Sequence, residues 1–177
     1  MTNSGTREGR EPGYLTGLFT DRESTESAYK SLRDRGYNDD DINVVMSDDT
    51  RKKYYGDTEL GTKAAEGTGI GGAIGGTLGA VIGGIAAVGT NLVLPGLGLI
   101  VWGPIAAALA GAGAGGLTGG LVGMLVGAGI PEDRAKAYEE GIKNGGTVFG
   151  VRPRNAEDAE YLQNDWKTNY RGQNVYY

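Results

Sequence analysis

Two glycine-rich runs, at residues 67–72 and 111–116, match the G-x-G-x-x-G pattern that holds the pyrophosphate of a dinucleotide at a helix N-terminus. That chemistry also requires a preceding strand, and an acidic residue about 20 positions further on that binds the ribose. Neither run has them, because the first acidic residue after both is Glu132. We therefore attribute the matches to the glycine content and predict no nucleotide cofactor.

Acidic and basic side chains are concentrated in short runs in the first third of the chain. The acids at residues 39–41 and 48–49 lack the alternate spacing and central glycine of a calcium loop, so turns and helix caps are their expected roles. The basic residues 51–53 would either contact anionic lipid headgroups or form a solvated surface beside the acids that flank them. We predict no metal site from these runs.

The overall composition excludes several classes of chemistry. The 177 residues include no histidine and no cysteine, so Ser-His-Asp triads, zinc fingers, disulfides and thiol catalysis are excluded. The net charge of −5 argues against a nucleic-acid-binding surface. No convergent acid–base pair stands out, so we expect a protein that is not an enzyme, with no catalytic residue, no metal, no cofactor and no identifiable small-molecule substrate.

A long uncharged segment separates two charged ones. Residues 67–131 contain no Asp, Glu, Lys or Arg across 65 positions, and they hold 22 of the 34 glycines. The segment has no serine and many branched apolar residues, unlike a flexible linker. We therefore expect it to be structured and buried, either in protein or in lipid.

Two ladders of glycines at every fourth position run through this segment. Each predicts a helix with one flat face free of side chains and one bulky apolar face, as in close helix packing. Each glycine costs about 1 kcal/mol relative to alanine in an exposed helix, so the ladders need a protein partner or lipid. The predicted packing or oligomerisation residues are Gly67, Gly71, Gly75, Gly79 and Gly83 in the first ladder, and Gly111, Gly115, Gly119, Gly123 and Gly127 in the second.

The ladders define the arms of a predicted helical hairpin over residues 67–130. Arms at 67–90 and 105–129 would each be about 36 Å long, enough to cross a bilayer. Pro95 and Pro104 interrupt the stretch between the arms, which places the turn near residues 91–98. Trp102 lies beside that turn and is a candidate contact with a bilayer interface or another subunit.

The first charged part, residues 14–66, predicts half of a small α+β domain. Residues 14–20 and 42–46 predict parallel strands on either side of a helix that Asp21 caps and Gly36 ends, a βαβ unit. A charged connector follows, with a short helical turn before the uncharged segment.

The second charged part, residues 131–170, predicts a helix beginning at Pro131, a strand at 147–151 and a last helix at 156–170. The inward-facing residues of these helices are expected to be Ala135, Tyr138, Ile142, Leu162, Trp166 and Tyr170. The two parts together predict a small ferredoxin-like (βαβ…αβ) sandwich interrupted by the hairpin, with a disordered arm at 1–13 and a loose tail at 171–177. With three predicted strands, the strand at 42–46 or at 147–151 should be paired or covered in the assembly.

Three segments of the sequence carry a resemblance to a known family. They are YLTGLFTDRESTESAYKSLRDRGYNDDDINVVMSDDTRKKYY, the glycine segment with LVLPGLGLIVWGPIAAALAGAGAGG, and GIPEDRAKAYEEGIKNGGTVFGVRP. Over residues 14–171 the chain resembles the bacterial heat-induced general stress proteins (the general stress protein 17M-like domain), in the branch with a glycine-rich hairpin. The resemblance implies a stress-linked bacterial protein without known catalysis, and it supplies no functional residues.

Three functions of different classes follow from these expectations. The first is a non-enzymatic stress-response protein of the bacterial cytoplasm, at the inner face of the cytoplasmic membrane with the hairpin inserted in lipid, that forms homo-oligomers. The alternative is a soluble self-assembling structural protein, such as a shell, ring or filament, with the hairpins packed in its core. A third is a sensor that binds a small ligand on the sheet face, with no residue that identifies the ligand.

Overall fold

The computed structural model describes residues 13–55, 91–94, 96–112 and 119–177, apart from the side chains of residues 55, 91, 92 and 110–112. The first glycine ladder, from Gly67 to Gly83, lies outside these residues. Residues 1–12 of the predicted disordered N-terminal arm also lie outside them. Gly115 of the second ladder also lies outside them.

One antiparallel sheet of six strands forms the centre of the described part of the chain, in the order β3-β4-β2-β5-β1-β6. The strands are β1 (Leu15–Phe19), β2 (Ile42–Ser47), β3 (Asn91–Leu94), β4 (Leu99–Trp102), β5 (Thr147–Val151) and β6 (Gln173–Tyr176). The protein is therefore of the α+β class, with a sheet twice as wide as the three predicted strands.

Helices cover both faces of this sheet. Within the described ranges they are α1 (Arg22–Asp34), α2 (Asp48–Tyr55), α3 (Pro104–Ala112), α4 (Gly120–Gly127), α5 (Glu132–Lys143) and α6 (Ala156–Thr168). α1 and α6 share one hydrophobic core with Phe19 and Phe149 of the sheet. α3, α4 and α5 share a second core with Val45 and Val148 on the opposite face. Burial of both faces explains why β1 and β5 are buried at every position.

β5 occupies the middle of the sheet, between β1 and β2. Leu15 of β1 and Ile42 of β2 both pair with Val151 of β5. Since both pairings are antiparallel, β1 and β2 run parallel to each other, as predicted, but they are not neighbours. The two charged parts of the sequence therefore build one sheet and not two separate units.

Capping residues set the helix ends as the sequence predicts. The Asp21 carboxylate accepts a hydrogen bond from the Ser24 N–H at 2.8 Å, and Gly36 follows α1 with a φ of +82°. Pro131 immediately precedes α5, and Gly145 follows that helix with a φ of +90°. Both glycines take the left-handed conformation that ends a helix without the steric cost of a side chain.

A β-hairpin lies where the sequence predicted a turn between two helices. β3 and β4 pair from Asn91↔Trp102 to Leu94↔Leu99, and β4 pairs in turn with β2. The prediction of a turn between two helices is wrong here because apolar runs rich in β-branched and aromatic residues flank a Pro-Gly pair, which is a hairpin signal. The hairpin pairs the edge of β2, so the strand at 42–46 is covered within its own chain.

Within the described residues, the second arm contains two short helices. α3 ends at Ala112, and α4 begins at Gly120, whose φ of +61° does not continue a right-handed helix. The prediction of one straight helix of about 36 Å is therefore wrong for this arm. The physical reason is that the break allows Leu121 and Leu125 of α4 to pack in the core with α5.

The C-terminal tail forms a strand. β6 pairs with β1 through Thr16↔Tyr176 and Leu18↔Gln173, with an irregularity between them, and Val175 is buried in the core. The prediction of a loose tail is wrong because four residues are too few to show a strand period. Their stability comes from the edge of β1, which is more than 150 residues away in the sequence.

Tyr138 connects α5 to the two strands at this edge. Its hydroxyl lies 2.6 Å from the Asn174 carbonyl oxygen, to which it donates, and 2.7 Å from Thr16 Oγ1. Burial raises the pKa of Tyr138 to about 12.

We expect Tyr138→Phe to lower the free energy of unfolding by about 1–2 kcal/mol, because buried polar atoms lose their partner. Urea denaturation measures the loss, and a loss no greater than that of the exposed control Tyr177→Phe would contradict this role.

Candidate functional site

The outer face of α4 contains no polar side chain. The inward face of the helix buries Leu121, Met124 and Leu125. On the outside, Val126 is 43% exposed, and a Cβ added at Gly123 would meet nothing within 4 Å among the described residues. The glycine row of this helix therefore faces away from the sheet, while its bulky row packs on the sheet.

α3 has the same division between its faces. Ile105, Ala106 and Leu109 are buried, and Ala107 and Ala108 are exposed. A helix face that contacts water ordinarily carries charged or polar side chains, whereas the outward faces of α3 and α4 carry none. We use the name neutral surface for the following outward residues of these two helices and of the turn before α4: Ala107, Gly119, Gly123, Val126 and Gly127.

Three of the glycines predicted to pack belong to the neutral surface. Gly119, Gly123 and Gly127 keep their four-residue spacing along α4 and the turn before it. Gly111 lies in α3, whereas Gly115 and the whole first ladder fall outside the described residues. The structure thus brings together the C-terminal part of the second ladder on one helix face.

Trp102 is buried within its own chain. It lies at the end of β4, is 1% exposed, and belongs to the core that includes α1 and α6. Its indole Nε1 has no hydrogen-bond partner among the residues that the structure describes. Contact of this side chain with a bilayer or another subunit would require β4 to leave the sheet.

A buried ion-pair cluster joins the end of α1 to the start of α6. The Asp158 carboxylate is 4% exposed and accepts hydrogen bonds from Arg35 Nε at 2.7 Å, from Arg154 Nε at 3.1 Å and from the Tyr37 hydroxyl. Burial opposes ionisation of this carboxyl, but the hydrogen bonds from Tyr37, Arg35 and Arg154 outweigh burial and hold its pKa below the usual value. Since donors occupy both oxygens, Asp158 is not free to act as a general acid or base. The cluster stabilises the fold.

The Asn43 side chain positions the start of α3, one of the two helices that form the neutral surface. This residue of β2 is 1% exposed; its Nδ2 donates to the Gly150 carbonyl at 3.1 Å, and its Oδ1 accepts from the Ile105 N–H at 2.8 Å. One amide therefore connects β2, β5 and the first turn of α3. The sequence signal for this role is a single Asn inside the otherwise apolar strand INVVM, and no role was predicted for it.

The acidic and basic runs form caps and ion pairs. The Asp41 carboxylate accepts from the Asn38 N–H at 2.9 Å, and Asp48 pairs with Lys52 at 2.9 Å and Arg51 at 3.0 Å. Hydrogen bonds from Lys52 and Arg51 hold the pKa of Asp48 below its usual value. No group of three acidic side chains that could hold a metal ion occurs in the described part of the chain.

The described helices are short relative to a bilayer. α3 has 9 residues and α4 has 8, whereas a transmembrane helix needs about 20 apolar residues. Across the described ranges, none of the helices combines the length and the hydropathy needed to cross a membrane.

Comparisons of the chain with protein-family models, with curated proteins and with solved structures return no match. The contacts and surfaces described above are therefore the basis for assigning a function. Among them, the neutral surface departs from the composition of a helix face that contacts only water.

Proposed function

We propose that this chain is a non-enzymatic structural protein of the bacterial stress response that associates with copies of itself through the neutral surface. The supporting observation is that α3 and α4 direct alanine, glycine and valine outward, although both helices form an outer layer over the sheet. The stress-response part of the proposal rests on the resemblance of the three quoted segments.

Close approach of two helix backbones is the physical basis of the association. Glycines at positions 119, 123 and 127 leave a shallow groove along α4 in which a helix of a second copy can lie. Each atom pair in such a contact contributes only about 0.1–0.2 kcal/mol, but a whole helix face supplies many pairs. Without a partner, Gly123 in the interior of α4 only weakens the helix, by about 1 kcal/mol relative to alanine.

The order of the strands supports a ferredoxin-like core, as the sequence predicted. The strands β6-β1-β5-β2 are adjacent in that order, with α1 between β1 and β2 in the chain and α6 between β5 and β6. This is the order of a split βαβ arrangement, and α1 and α6 pack in one core. On this proposal, the hairpin of β3 and β4 extends the core sheet, and α3 and α4 belong to an insertion that covers its second face.

Lipid is the second candidate partner for the same surface. An uncharged helix face can also bury itself at the surface of a bilayer, without spanning it. Insertion of α4 as part of a spanning hairpin would require Leu121, Met124 and Leu125 to leave the core. We therefore place self-association first and peripheral membrane contact second.

Gly123→Leu is expected to abolish self-association and leave the fold intact. No atom of the described residues lies within 4 Å of the added Cβ, and leucine favours a helix over glycine by about 1 kcal/mol, so the monomer should melt at a higher temperature. The leucine side chain holds the two copies apart and removes contacts along the whole face. Size-exclusion chromatography with light scattering measures the mass, and thermal denaturation measures the stability.

Two further variants separate the possible outcomes. Val126→Lys adds a charge to the neutral surface and should also give a monomer, whereas Gly13→Leu adds the same leucine outside α3 and α4 and should assemble like the wild type. A Gly123→Leu protein that assembles as the wild type does would refute self-association through this surface. A wild-type monomer that sediments with liposomes, when Val126→Lys does not, would identify lipid as the partner.

A further inference from the structure

A small cavity lies at one end of the strands, where two strands begin and two others end. The starts of β1 and β2 and the end of β5 meet here, as shown by the pairing of Leu15 and Ile42 with Val151, and β4 ends beside them. The cavity has a volume of about 290 Å³. Its lining residues are Tyr14, Asp40, Asp41, Pro104, Ala108 and Arg152.

Opposite charges line this cavity without neutralising each other. No salt bridge within 4.0 Å joins Arg152 to Asp40 or Asp41, although other acids and bases in the described part of the chain form nine such pairs. The Asp41 carboxylate accepts one hydrogen bond, from Asn38, which leaves its other oxygen available. The cavity therefore presents carboxylates and a guanidinium that remain separate.

An aromatic ring holds the guanidinium in place. The Arg152 Cζ lies over the Tyr14 ring, 4.8 Å from its centroid, which is a cation–π contact. Its N–H donors lie in the plane of the group and remain able to bind a carboxylate in the bidentate manner typical of arginine. The remaining walls are apolar, because Pro104 and Ala108 of α3 contribute only carbon side chains.

We propose that this cavity binds a small zwitterion, namely an α-amino acid with an aliphatic side chain. The carboxylate of the ligand pairs with Arg152, its ammonium group lies between Asp40 and Asp41, and its side chain packs on Pro104 and Ala108. The volume is at the lower end of ligand sites, which suits a molecule of this size. The charged groups are open to solvent, where each ion pair contributes little, so we expect a dissociation constant of about 1 mM.

Saturation-transfer NMR with L-leucine on the full chain tests this site, because the method detects weak ligands on monomers and assemblies alike. We expect saturable binding by the wild type, and binding weakened by about two- to fivefold in Arg152→Gln and in Asp40→Asn. Arg134→Gln is the matched control, since its guanidinium also lies over a tyrosine ring, 4.4 Å from the centroid of Tyr176, but outside the cavity. This variant should bind leucine like the wild type.

Two half-ligands test the requirement for both charges. 4-Methylpentanoate keeps the carboxylate and side chain of leucine, and 3-methylbutylamine keeps its amine and side chain. Each should bind more weakly than leucine by about two- to fivefold, because each leaves one set of charges in the cavity without a partner. Non-saturable binding, equal binding by Arg152→Gln, or equal binding of a half-ligand would overturn the proposal. The same titration on Val126→Lys keeps this result separate from self-association, which is measured by mass.

Discussion

Gly103→Ala is expected to destabilise the protein by about 3–5 kcal/mol, which is a large part of the stability of a domain of this size. Gly103 connects β4 to α3 and has a φ of +91°, which side chains other than that of glycine rarely adopt. A Cβ at this position would lie 2.2 Å from the Ile42 carbonyl oxygen and 3.0 Å from the Asn43 Cα. Because these are backbone atoms of the neighbouring strand, neither can move without disturbing the sheet.

Gly98→Ala is the matched control for this prediction. Gly98 also has a positive φ, of +61°, but nothing lies within 4 Å of its added Cβ, so the variant carries the conformational cost alone. That cost is about 1–2 kcal/mol. Guanidinium denaturation monitored by circular dichroism compares the two variants. Equal losses would show that the contact between Gly103 and β2 is not as close as described.

Asp158→Asn is expected to lower the free energy of unfolding by about 2–3 kcal/mol. The substitution preserves the shape of the side chain but removes the negative charge that Arg35 and Arg154 share. Both arginines reach solvent, which reduces the cost relative to a fully buried pair. The Tyr37 hydroxyl also loses a charged acceptor for its hydrogen bond.

The effect of Asp158→Asn depends on pH in a defined direction. The pKa of Asp158 is lower in the folded protein than its value of about 3.9 in an unfolded chain, so its contribution is complete above that value and disappears as the pH falls through the folded pKa. The stability difference between wild type and variant should therefore be constant from pH 5 to 7 and shrink below pH 4. Glu157→Gln removes an exposed charge from the same helical turn and should change stability by less than about 0.5 kcal/mol. Equal losses in the two variants would contradict the role of the cluster.

The sequence predicted the structure well wherever a single residue determines the local backbone conformation. Asp21, Gly36, Pro131 and Gly145 determine helix ends through local capping and backbone conformation, so α1 and α5 were predicted nearly to the residue. The inward stripe of Ala135, Tyr138 and Ile142 was also predicted, because a helix of known phase has only one apolar face.

The sequence was less informative where a distant partner decides the structure. The run around Trp102 is apolar enough for a helix, a turn or a strand, and the free edge of β2 is what makes it a strand. β6 likewise depends on β1. The bonds of Asn43 and Asp158 join elements that lie far apart in the chain, so spacing within one element did not reveal them.

The division of roles on α4 was predictable in part. The four-residue spacing correctly separated a bulky row from a glycine row, since this depends only on helix geometry. The spacing alone does not show which of the two rows faces the sheet. The structure shows that it is the bulky row, because Leu121 and Leu125 are buried in the core beside α5. The glycine row is left outward as a consequence.

The central position of β5 has a consequence for how the protein is made. β1 pairs only with β5 and β6 within the described sheet, and both of these strands belong to the last 31 residues of the chain. A ribosome adds about 5–20 residues per second, so roughly 5–20 s separate the synthesis of β2 from that of β5. During that interval the whole uncharged segment at 67–131 has been synthesised, while the strand that completes the centre of the sheet does not yet exist. β1 and β2 therefore lack the strand that both of them pair with until β5 has been synthesised.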